Sequence, residues 1–144
     1  MNRLFNTNYN HRSLDILLLI LRVSIASLML YHGIPKLNTF LSGNIQFADP
    51  IGIGAPASLA LAVFAEVFCS VLVLIGLATR LAVIPLIITM LVAVFIVHAE
   101  DGLAKQESGI HYLLTYLVLL FAGAGSVSFD SIISRKAARH RRGY

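Results

Sequence analysis

Apolar runs of helix length alternate with polar punctuation along this chain. The first spans Leu14 to His32 (LDILLLILRVSIASLMLYH) and the second Ala57 to Leu77. The third spans Leu81 to His98 (LAVIPLIITMLVAVFIVH), and the fourth Ile110 to Ser126. A helix crossing a bilayer needs about 20 predominantly apolar residues, so the pattern predicts an all-α membrane protein, an up-down four-helix transmembrane bundle. Gly33-Ile-Pro35 disfavours continuation of the first helix, although a kinked helix could run on to Lys36. Residues 37–56 carry Asn, Gly, Ser, Asp and two prolines. They read as an ordered external loop with a short interfacial helix near Phe40, and a connection this long is often functional. Gly76 to Arg80 predicts a tight antiparallel hairpin, with Gly76 ending a helix.

Composition agrees with this pattern. Of 144 residues, 58% are hydrophobic and only 12% charged, against about 25% charged in soluble domains. A soluble protein with so few charges could not cover its surface. The apolar run after residues 1–13 is too long for a signal peptide and no small-x-small cleavage site follows it. Cys69 stands alone, so neither an internal disulfide nor a C-x-x-C redox pair is available.

Charge supplies the orientation. Arg3, Arg12, Arg80 and the five basic residues of RKAARHRR would lie on one side of four spans, whereas only Lys36 and Lys105 would lie on the other. The positive-inside rule then places both termini in the cytoplasm, in a bacterial-type inner membrane. The chain divides into a cytoplasmic segment 1–13, a membrane domain 14–130 and a basic cytoplasmic tail 131–144. That tail faces anionic lipid. No nucleic-acid-binding fold or aromatic platform accompanies the charge, so nucleic acid is not an expected partner.

Ionisable groups inside apolar segments are the candidate chemistry, because each is expensive there and needs a partner. Arg22 lies roughly 12 Å from the start of the first run and Glu66 roughly 16 Å from the end of the second. Antiparallel packing would therefore let them pair near mid-membrane. His32 and Lys36 are four residues apart, as are Glu107 and His111, and His98 ends the third run. These groups, with Tyr31 and Tyr112, should gather at the outer helix ends, above Glu66, as a polar cavity under the 33–56 loop. Such a cavity suits a quinone-like head group hydrogen-bonded by His or Tyr, or proton-coupled movement of a solute. Haem ligation by His32 and His98 lacks a supporting spacing, and no metal motif is present. No hydrolase or nucleotide motif occurs, so no self-contained catalytic site is expected. Gly123 and Gly125, in GAGSVSFD, permit close approach at the inner end, where Asp130 could pair with Arg80.

Three stretches together resemble the DoxX family of small four-helix membrane proteins: LLLILRVSIASLMLYHGIPKL, AVFAEVFCSVLVLIGLATRLAVIPLIITMLVAVFIVH and GAGSVSFD. The resemblance covers residues 14–130. It implies a shared polar site built around Arg22, His32, Glu66, Arg80 and His98, and a connection to quinone-linked or oxidative-stress redox enzymes as partner proteins. It implies no particular reaction. The alternatives are a small proton-coupled carrier and a membrane scaffold without ligand chemistry. Homo-oligomerisation stays open.

Overall fold

The computed structural model describes residues 10–43 and 45–141, the last three by their backbone alone. The charges expected at Arg3 and Arg142 lie outside the described residues. Among the described residues the fold has five helices: α1 His11–Ser42, α2 Ala55–Ile75, α3 Thr79–Val97, α4 Leu103–Ala122 and α5 Phe129–Arg141. Successive helices from α1 to α4 run antiparallel. α1 lies along α2, α3 lies against both α2 and α4, and α4 closes back on α1.

Three of the helices, α1 to α3, are long and apolar enough to cross a membrane. α4 differs because its first two turns carry Lys105, Gln106, Glu107 and Ser108, leaving only its later part apolar. The bundle interior is built from Leu18, Ile25, Met29, Val73, Leu86, Tyr116 and their neighbours. Large apolar side chains such as Leu17, Leu28, Phe68, Ile88 and Phe95 point outward. In water this surface would be untenable, whereas in hydrocarbon it is solvated.

α1 is longer than the apolar pattern predicts. It continues through Pro35 and ends at Gly43, which adopts a left-handed conformation with φ 72°. Residues 37–42 are therefore helix, not loop. Proline at 35 removes only its own N–H from the helix ladder, and Lys36 in the following turn is held by a contact to α2. At 32 residues α1 spans about 48 Å, well beyond a hydrocarbon core of about 30 Å. The connection that remains is organised by Asp49. Its carboxylate accepts hydrogen bonds from the Ser58 hydroxyl at 2.7 Å, Gly54 N–H at 2.7 Å and Ile53 N–H at 3.0 Å. These bonds hold the carboxyl below its ordinary pKa, the Ser58 bond foremost.

The α2–α3 hairpin forms at Gly76, as its sequence predicts. Gly76 takes φ 73° and its N–H returns to the Leu72 carbonyl, while Leu77 N–H reaches the same oxygen. Next, Ala78 is held at φ 48°, a left-handed conformation without glycine. The strain is offset by Asp130, whose carboxylate accepts from Ala78 N–H at 2.7 Å and Thr79 N–H at 2.9 Å. A carboxylate at the start of α3 also complements its dipole.

Candidate functional site

The buried charges fall into two separate groups, one toward each end of the bundle. Arg22 belongs to the group at the Gly76 end. Its guanidinium donates to the carbonyls of Ala124 at 2.7 Å and Val127 at 2.9 Å, in the α4–α5 connection. It lies directly over Gly76, where any side chain would collide with it. Asp15 accepts from Ser126 N–H at 2.9 Å in the same connection. Arg80 donates to the Phe121 carbonyl at 3.1 Å, at the end of α4, and lies close to Gly123. Asp130 is occupied by the start of α3. The expected Arg22–Glu66 and Arg80–Asp130 pairs are thus not formed. Each of these groups instead satisfies backbone atoms that the chain turns leave without helical partners.

Glu66 pairs with Lys36. The ammonium nitrogen of Lys36 lies 2.5 Å from Oε1. The register explains the change of partner. Arg22 lies level with Gly76, ten residues or about 15 Å along α2 from Glu66. The α1 residue level with Glu66 is Gly33. A Cβ at Gly33 would sit 2.9 Å from the Glu66 carbonyl oxygen, so only glycine lets the two backbones meet here. Lys36, one turn beyond Gly33 on the same face, then reaches across.

Glu66 is 2% exposed, and its second oxygen, Oε2, has no hydrogen-bond partner among the described residues. The helix is locally underwound: Phe64–Cys69 is a π-helical turn, as is Ala93–Val97 in α3. Such insertions widen a helix by one residue and recur at functional sites. They open space around the ion pair.

Two cavities meet at that pair. The first, of about 250 Å³, lies between α1, α3 and α4 and is lined by Met29, His32, Lys36, Glu66, His98, Gln106 and Tyr112 among others. The second, of about 280 Å³, lies between α2 and α3 beneath residues 47–51, and is mostly apolar. Lys36, Glu66, Ala93 and His98 border both. Phe47 places its ring 5.9 Å from the Lys36 nitrogen, a cation–π contact over the pair.

The histidines take distinct positions. His98 Nδ1 lies 2.7 Å from Asp101 Oδ2, its carbonyl accepts from Gln106 Nε2 at 2.7 Å, and Lys105 also reaches Asp101. The His98 and Lys105 bonds, in that order, hold the Asp101 carboxyl below its ordinary pKa. His32 meets Tyr112 edge-on with 6.0 Å between centroids, and Tyr112 stacks on the buried Tyr116. Tyr31 touches His32 from the exposed side. Glu107 and His111 are exposed and line neither cavity. Among the described residues no cluster of His, Cys, Asp and Glu is arranged to hold a metal ion.

Sequence reasoning missed Asp15, Asp49, Asp101 and Gln106 as organising residues, and placed Lys36 among the cavity candidates without making it the partner of Glu66. One signal pointed to Lys36. It is the sole basic residue between Arg22 and Arg80, and it falls three residues after a glycine on a helix face.

These features define a helical multi-pass membrane protein with a buried ion pair between two cavities. A family model for DoxX matches residues 17–99, more than half of the chain, and the chain belongs to the DoxX family. The matched region contains both halves of the Lys36–Glu66 pair. The chain is also 30% identical over 126 residues to a Haemophilus influenzae protein described as an uncharacterized protein, covering 82% of this chain and 83% of that one. No solved structure gives a significant match.

Proposed function

We propose that this DoxX-family protein is a ligand-binding accessory subunit of a quinone-linked or oxidative-stress redox system. It would sit in a bacterial-type inner membrane with both termini cytoplasmic. One observation carries the reading: Glu66 is buried, bound by Lys36 through one oxygen, without a hydrogen-bond partner at the other among the described residues, and borders two cavities. A buried acceptor without a donor is costly, and a ligand hydroxyl would satisfy it. A hydroquinone head group fits that donor requirement. Lys36, His98, His32 and Tyr112 supply further polar groups around the same point.

The packing favours a binding subunit over a proton-coupled carrier. Inward of Glu66 the bundle is filled by Met29, Cys69, Val73 and Leu86 and then closed by the Arg22 group. The test is native mass spectrometry of protein extracted gently from membranes, with lipid-soluble redox compounds quantified in the extract. Wild type should carry a bound amphiphile. The charge-free variant Lys36→Met/Glu66→Leu should lose it while staying folded. Equal retention by that variant would remove the site from the reading, and absence of any redox-active compound would remove the redox link.

A further inference from the structure

We infer that the ligand enters from the bilayer, with a hydrogen-bond-donating head beside the Glu66 carboxylate and an apolar chain in the groove between α2 and α3. This rests on the ligand-binding reading above and specifies the chemical class of the ligand and its route. The two cavities that meet at the ion pair differ in what they face. The one bordered by His32, Gln106 and Tyr112 is lined by polar side chains and lies under the α3–α4 turn. The other is walled by aliphatic side chains of two membrane-length helices. At its mouth Leu61 is 55% exposed and Ile88 56%, on surfaces that hydrocarbon must cover. From Val97 to Ile88 the α3 wall runs nine residues, or about 14 Å along the helix. The Lys36–Glu66 pair forms part of its wall.

The chemistry of the occupant follows. A carboxylate with a free oxygen accepts and does not donate, so the head must carry a hydroxyl, phenol or amine. The adjoining groove is mostly apolar, and its Ser58 and Thr89 hydroxyls already donate to Asp49 and the Pro85 carbonyl, so the remainder of the molecule must be apolar. A freely water-soluble polar solute meets only half of this arrangement. A single-chain amphiphile dissolved in the membrane meets both halves, since its chain passes from lipid into a groove of equal polarity and only the head changes environment.

The test uses 4-dodecylphenol carrying a diazirine at the chain end, with the full-length protein in lipid nanodiscs. Photolabelled peptides are mapped by mass spectrometry, with unlabelled 4-dodecylphenol as competitor. Expected are saturable adducts within 55–75 and 79–97. They should be lost in Ile88→Trp, which fills the groove from its lipid-facing side, and retained in Ser108→Trp, which obstructs the polar cavity. The far-ultraviolet circular dichroism of each variant must match wild type. Should Ile88→Trp fail to fold, Leu61→Trp obstructs the same mouth from α2. Saturable labelling confined to α1 and α4, or blocked by Ser108→Trp alone, overturns this route and leaves the ligand-binding reading standing. Labelling that is nowhere saturable overturns both.

Discussion

Removing Lys36 should destabilise the protein more than removing the carboxylate it serves, and the two losses should not add. Lys36→Met strands the Glu66 carboxylate, which is 2% exposed and keeps no other hydrogen bond among the described residues. Breaking a buried pair from one side costs about 3–5 kcal/mol, and the lower end applies because the Lys36 side chain is 33% exposed and the pair only partly buried. Glu66→Gln leaves the ammonium of Lys36, whose side chain is 33% exposed and can turn toward water, so about 1–2 kcal/mol is expected. In the double variant no charge is stranded, and the loss should be about 2 kcal/mol. The implied coupling is about 2 kcal/mol, near thirtyfold in an equilibrium constant. Reversible unfolding by sodium dodecyl sulfate in mixed micelles, followed by circular dichroism, measures each corner of the cycle. Additivity within about 0.5 kcal/mol would refute the pairing. Arg22→Met combined with Glu66→Gln is the control and should be additive, since Arg22 serves Ala124 and Val127.

Gly33→Ala should destabilise by about 1–3 kcal/mol in the same assay, because the new Cβ would lie 2.9 Å from the Glu66 carbonyl oxygen. In an unobstructed helix the same change stabilises by about 1 kcal/mol, so the sign alone decides. Asp130→Ala removes both acceptors at the start of α3 and should cost about 2 kcal/mol. Faster hydrogen exchange at Ala78 and Thr79 should accompany that loss, and unchanged exchange there would contradict the capping role. The Asp49 carboxyl titrates below its unfolded value, so its contribution is complete above about pH 4. It is lost as pH falls through the lower folded value. Amide protection at Ile53 and Gly54 should therefore drop on acidification in wild type and be low at every pH in Asp49→Ala. A wild-type profile flat through the acid range would count against it.

The helices themselves were legible from the chain because a bilayer leaves few solutions. Backbone groups must be satisfied within each segment, and apolar side chains must face lipid. The runs ending at Gly76 and beginning at Thr79 therefore appear where pattern and turn chemistry place them. The extension of α1 through Pro35 was harder to read, since proline is a local signal against helix and the evidence for continuation lies on another element. The same holds for α4, where Lys105 to Ser108 interrupt the apolar pattern but not the helix.

By itself the sequence determined that Glu66 is costly where it stands and that the chain is a helical membrane protein. The partner was decided only in three dimensions. Depth counted from helix ends assumes that the ends are level, and α1 projects well past the point where α2 turns. Contact between Gly33 and the Glu66 backbone sets the register, and that places Lys36 against Glu66 and Arg22 against Gly76. Rise per residue is a property of one helix, whereas the offset between two helices comes from the side chains that meet.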